Sequence, residues 1–235
     1  MSAVPAGRKR GARAEVPITK EAIVETAFRI IEERGLEAFS MRSLAAELGV
    51  FPATLYWHVG DRSCLLGLVE HRWIEEVVLP DECTDWRDWM LQLGRRYRAH
   101  ALAHPNVARL ATIERARNVD SLVIPDAIVG KLVEIGLDRD LVHAYNAIMG
   151  AVRGFVLLEL SPRSEPDAES DVESDLRNLD EERFPNITAQ FDRLGDHALS
   201  MRWSNGVDRP LHDSFDFLMS LLIDGLAARL PVTRP

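Results

Sequence analysis

Cysteine is scarce. Cys64 and Cys83 are the only two in 235 residues, which excludes a disulfide framework and leaves reduced thiols as the simplest reading. Cys64 stands in the first turn of a helix beside Leu65 and Leu66, and it reads as a half-buried inert thiol rather than a redox sensor. No apolar run approaches the roughly 20 residues of a membrane span, and Met1 to Ile18 has no hydrophobic centre of the kind a signal peptide carries. The expected compartment is the cytoplasm. The fourteen glycines are scattered, with no phosphate-cradling loop, nucleophile elbow or paired metal motif. An enzyme is therefore not indicated, and no catalytic residue, cofactor or metal is expected. Basic residues are in the minority, 28 Lys and Arg against 37 Asp and Glu, for a formal net charge of -9. Taken alone, that balance argues against a nucleic-acid partner.

The average conceals segregation. Residues 1 to 18 form a flexible basic arm with Arg8, Lys9, Arg10 and Arg13, broken by Pro5, Gly7, Gly11 and Pro17. At the other extreme, residues 163 to 183 hold nine acids against three arginines, so two thirds of the net charge sits there. Within the loop assigned to 161–183, that polarity reads as a solvated surface insertion. The acidic isoelectric point thus says nothing about the N-terminal end.

Elsewhere the apolar residues recur at helical spacing, which predicts an all-α fold. Thr19 caps a first helix with Ile23, Ala27, Ile30 and Ile31 inward and Gly35 as its stop. Ser40 caps a second with Leu44, Ala45 and Leu48, stopped by Gly49. Pro52 suits the first turn of a third, Ala53 to about His58. Asp61 caps a fourth reaching about Val78. Further helices are expected at Trp86 to Ala103, Pro125 to Ile135, Arg139 to Leu160, Ile187 to Leu194 and Leu211 to Leu230, with a broken region at Val107 to Ile124. The last helix carries an apolar stripe wider than one neighbour needs, which hints at a second partner.

The segment from Ser40 to Val59 has the layout of a helix-turn-helix: Ala45 where two helices cross closely, Gly49 in the turn, Val50 and Leu55 to fix the angle. Its second helix presents Ala53, Thr54, Tyr56, Trp57 and His58 outward, a surface too apolar for idle exposure and suited to the phosphates and thymine methyls of a major groove. Packing against a neighbouring domain is the other reading of that pattern. Thr54, Tyr56 and His58 have donors that reach phosphate, Arg62 is placed as a phosphate clamp, and Arg42 suits a bidentate guanine contact. Phe51 reads as a hydrophobic staple in preference to an extra base contact.

The run Ala53-Thr-Leu-Tyr-Trp-His-Val59, with Asp61-Arg62 and Leu65-Leu66 after it and Leu44-Ala-Ala-Glu-Leu-Gly-Val50 before it, resembles the tetracycline-repressor (TetR) family of transcriptional regulators. The resemblance implies a dimer on a pseudo-palindromic operator, with Arg42, Pro52, Ala53, Thr54, Tyr56, Trp57, His58 and Arg62 touching DNA. It continues through Trp86-Arg-Asp-Trp89, Tyr97 to His104, Gly150 to Glu159 and Phe217 to Leu226, which look like the C-terminal domain of the tetracycline-binding branch. In that branch a magnesium–tetracycline chelate is held through a histidine whose matching position here is Ala111. Glu159 matches a carboxylate of the same site, and a lone carboxylate is a poor metal anchor. Tyr97 and Arg115 match ligand-facing positions.

The expected architecture is an arm (1–18), a three-helix helix-turn-helix DNA-binding domain (19–60) and a helical ligand-binding and dimerisation domain (61–235). The implied function is a ligand-responsive regulator, a repressor that binds a palindromic operator as a homodimer and is released by a small-molecule inducer. A helical ligand-binding or interaction protein without operator-specific binding is the alternative. Tyr97, Arg115, Trp89, Met149, Phe155 and Glu159 are the candidate ligand residues, with Tyr145 and Trp203 adding aromatic area. His100 and His104 share a helix face at a spacing that can hold a transition metal, and they are read as structural.

Overall fold

The computed structural model describes residues 18–113, 119–160, 174–175, 177–194 and 211–231. The basic arm, Arg115, Trp203 and most of the acidic stretch lie outside the described residues. The helices are α1 (Lys20–Arg34), α2 (Met41–Leu48), α3 (Pro52–Val59), α4 (Arg62–Ile74), α5 (Trp86–Ala103), α6 (Pro105–Ile113), α7 (Val123–Glu134), α8 (Leu141–Glu159), the short α9 (Pro185–Ala189) and α10 (Phe191–Leu194), and α11 (His212–Ala227). No strand occurs among the described residues.

The first four helices begin where local chemistry makes them begin. Thr19 accepts from the Ala22 N–H, Ser40 and Ser43 form a reciprocal capping box, and Asp61 accepts from the Cys64 N–H at 2.8 Å. Gly49 closes α2 at φ 68°, where a side chain would be strained, and its turn sets the angle between α2 and α3. Ile23, Ala27, Ile30, Ile31, Leu44, Leu55, Leu65 and Val69 are buried together as one core under α1 to α4. Because α4 packs on both α1 and α6, it belongs to both halves of the molecule.

Two expected elements differ. The fourth helix ends at Ile74, not Val78: the Glu76 and Val77 N–H groups bond three residues back, to the Trp73 and Ile74 carbonyls at 3.4 and 3.1 Å, which tightens the last turn, and beyond it the Arg96 guanidinium of α5 donates to the carbonyls of Val78 and Leu79 at 3.2 and 2.9 Å. The region expected to be broken contains α6. Pro105 starts it, and its first turn is capped by a residue distant in sequence: Glu32 of α1 accepts the Val107 N–H on its carboxylate at 3.1 Å and the Asn106 amide on its carbonyl at 2.9 Å.

In the C-terminal half, α5, α7, α8 and α11 pack on one another. A Cβ on Gly94 of α5 would lie 2.8 Å from the Met219 Cε, so the end of the flexible Met219 side chain of α11 fills the space the glycine leaves. Two ion pairs tie the same helices: Arg95 with Asp216, bidentate at 2.8 and 2.6 Å, and Arg98 with Glu159 at 2.7 and 2.6 Å. The Arg95 guanidinium holds the Asp216 carboxyl below its ordinary value. Residues 138–159 are long and apolar enough to cross a membrane, contrary to the expectation that no such segment exists. The reason is two-sidedness: Ala144, Ile148, Val152 and Val156 face the core, while Val142, Leu157 and Leu158 remain exposed, as do Phe217 and Leu221 on α11.

Candidate functional site

The first site is the outer face of α3. Leu55 and Val59 anchor it in the core, and helical periodicity then turns the intervening residues outward. Trp57 is 82% exposed and Tyr56 51%. Pro52, Ala53, Arg42 and Arg62 are exposed, and Thr54 and His58 half-buried. The Trp57 and His58 rings meet edge to face at 4.8 Å, and Arg62 lies over the Phe39 ring at 5.7 Å, which holds its guanidinium at the start of α4. Of the eight residues named from the sequence, on α2, α3 and the first position of α4, six are exposed and two half-buried.

Two neighbours differ from expectation. Phe51 is 82% exposed, so it is not a staple: as the N-cap of α3 it projects away from the core, beside the outward face. Cys64 is exposed, not half-buried, because the buried stripe of α4 runs through Leu65, Leu66 and Val69 and leaves position 64 on the opposite side. Cys83 is half-buried, and burial raises its thiol pKa.

The second site is internal. Between α4, α5, α6, α7 and α8 lies a cavity of ≈ 160 Å³ whose walls include Tyr97, Tyr145, Met149, Trp73, Ala111 and Arg153. A smaller apolar space of ≈ 40 Å³ adjoins it, sharing Tyr97, Ile124, Met149 and Arg153. The Trp73 indole N–H and the Ser121 hydroxyl, both in the larger wall, are buried without a hydrogen-bond partner among the described residues. Buried donors left open in an apolar wall are what a ligand acceptor would satisfy. Arg153 donates to the carbonyl of Ala111, bridging α8 and α6 across the cavity.

Of the candidate ligand residues, Tyr97 and Met149 line this space. Trp89 does not: its indole N–H donates to the Pro80 carbonyl at 3.1 Å, outside the cavity. Phe155 packs edge to face on Phe215. Glu159 is fully buried in the Arg98 pair and also accepts the Leu211 N–H at 3.0 Å, so its oxygens are spent on holding α8, α5 and the start of α11. Arg115 lies outside the described residues. Glu70, Trp73, Ser121 and Arg153 were missed. Glu70 had a signal, an acid between Leu66 and Trp73 on the inward face of α4, whereas Ser121 and Arg153 are brought in by tertiary packing alone.

A helix-turn-helix joined to a cavity-bearing helical domain defines the one-component DNA-binding regulators. Residues 23–66 match the family described as "Bacterial regulatory proteins, tetR family" and residues 79–230 match "Tetracyclin repressor-like, C-terminal domain". The chain belongs to the TetR family of transcriptional regulators. It is 29% identical over 162 residues to an HTH-type transcriptional regulator of Saccharopolyspora erythraea, covering 68% of this chain and 69% of that one. It is 28% identical over 163 residues to the class C tetracycline repressor protein of Escherichia coli, covering 68% and 73%. In structure it is similar to the Streptomyces coelicolor TetR family protein ActR in complex with actinorhodin, at a TM-score of 0.75 and 27% identity over 93% of this chain and all of that one.

Proposed function

We propose that this chain is a homodimeric repressor that holds a palindromic operator through α3 and releases it when a small molecule enters the cavity beside Tyr97. The observation that carries the reading is the outward face of α3, where Tyr56, Trp57 and the exposed arginines meet solvent on a helix whose other side is locked in the core. Dimerisation uses the exposed apolar faces of α8 and α11, which as a two-fold pair form a four-helix bundle and orient two α3 helices for successive major grooves. Such a regulator works where the chromosome is, in the cytoplasm.

The inducer is a flat, mostly apolar molecule bound without metal. The aromatic walls and the open donors of Trp73 and Ser121 support this, as does the complex of ActR with actinorhodin. Ala111 offers no ligand where the tetracycline branch uses a histidine. A space of ≈ 160 Å³ is below the roughly 300–1,000 Å³ of a drug-sized site, so binding has to move its walls. Those walls include α4 and α6, both of which pack on α1, and a ligand that favours their displaced arrangement thereby shifts the DNA-binding units away from operator spacing. The expected outcome of Tyr56→Ala or His58→Ala is loss of specific operator binding in a gel-shift assay with dimer and helix content retained. Unchanged affinity in both would favour the reading as a ligand-binding protein without operator specificity.

A further inference from the structure

At the junction of the two halves, three metal-ligating side chains converge that the cavity and the DNA face do not use. His100 and His104 project from the last turn and cap of α5, one helical turn apart, and Glu76 comes from the turn after α4. One ligand atom from each lies within 4.8 Å of the others, with His100 Nε2 and Glu76 Oε2 3.7 Å apart. The rings are already held: His100 stacks on Trp73 at 5.0 Å, and His104 meets Phe28 of α1 edge to face at 5.3 Å. His104 Nδ1 is buried and has no hydrogen-bond partner among the described residues.

We propose that Glu76, His100 and His104 form a site for one Zn²⁺ or similar divalent transition-metal ion, which clips the end of α4 to the end of α5. Two imidazoles and a carboxylate are a borderline donor set suited to Zn²⁺, Co²⁺ or Ni²⁺ and poorly suited to Mg²⁺. Zinc–ligand distances of about 2.0–2.1 Å put tetrahedral ligands about 3.3 Å apart, so the cluster must close by about 1.5 Å at its widest. Glu76 supplies that movement: its side chain is 42% exposed and sits beyond the helix. Arg72 holds the other carboxylate oxygen at 2.5 Å, orienting the group while leaving Oε2 toward the histidines. His100 Nε2 now lies 2.9 Å from the Trp73 carbonyl. Ligation through Nε2 replaces that hydrogen bond: it uses the Nδ1–H tautomer with the ring turned off the carbonyl toward Glu76, and the Trp73 oxygen keeps the Glu76 N–H at 3.4 Å.

The test needs no operator and no inducer. Isothermal titration of the metal-stripped full-length protein with ZnCl₂, together with visible absorption of a Co²⁺ titration, should give one equivalent per chain. Glu76→Gln and His104→Gln should each weaken binding at least ~10-fold and remove the cobalt band. Glu76→Gln alters an exposed side chain, so its fold, checked by circular dichroism, keeps the comparison valid if the histidine variant misfolds. Absence of binding by the parent protein, or full-strength binding by a folded Glu76→Gln protein, overturns the site.

Discussion

Replacing Glu159 by alanine separates two roles for that carboxylate, ligand contact and structural clamp. The side chain has no exposed surface, and its partner Arg98 is 6% exposed. Truncation strands two guanidinium donors that now bond at 2.7 and 2.6 Å and the Leu211 N–H that bonds at 3.0 Å, and it leaves an uncompensated buried cation. Breaking such a pair from one side costs about 3–5 kcal/mol. At about 2–4 °C per kcal/mol for a chain of this length, the melting temperature should fall by roughly 6–20 °C. Removing both charges together, as Arg98→Met with Glu159→Leu, should return most of that loss, because two apolar side chains strand no buried charge. The measurement is thermal and urea unfolding of the three proteins at one fixed protein concentration, since dimerisation would contribute to apparent stability. A Glu159→Ala protein as stable as the parent but defective in inducer response would refute the clamp and return Glu159 to the ligand site.

Deleting Met1 to Val16 should weaken operator binding and flatten the slope of log affinity against log salt with little change of sequence preference, because the arm's arginines and lysine release phosphate counterions; an unchanged slope makes the arm a passive tail. Tetracycline with Mg²⁺ should leave the protein–operator complex intact in a gel shift, since Ala111 cannot ligate; release that EDTA abolishes would contradict the metal-free site. Asp216 has a lowered folded-state pKa through Arg95, so its contribution to stability is present above about pH 4, the unfolded aspartate value, and is lost as the pH falls through the folded value below it. Asp216→Asn should therefore be less stable than the parent at pH 7 and converge with it in acid; a constant difference across the titration would show that the effect is not this ionisation.

Elements with local causes were legible in the sequence. Thr19, Ser40, Gly49 and Asp61 each terminate or start a helix through bonds to residues three or four positions away, and all four act as read. The face of α3 was legible because Leu55 and Val59 fix its phase. What failed depends on distant residues: α6 is capped by Glu32 from 75 positions upstream, and the segment after α4 is held by Arg96 of α5 through the Val78 and Leu79 carbonyls. The same reason hid Ser121 and Arg153 of the cavity and kept the fate of Glu159 unread, since its partner Arg98 lies 61 residues away. Phe51 and Cys64 failed on phase: adjacent leucines or a following proline say nothing about which side of a helix one position faces.

The grip of Glu32 on the first turn of α6 bears on how such regulators can be recombined. A chimera that grafts a different DNA-reading head at the boundary after residue 60 would carry a foreign residue at position 32 against this chain's Asn106 and Val107, and would rest α4 on a foreign α1. On the proposed function, operator specificity and effector specificity are thus not interchangeable cassettes here. Transplanting the head requires that its first helix bring along an acceptor for α6, and a graft lacking it should read DNA yet respond to no ligand.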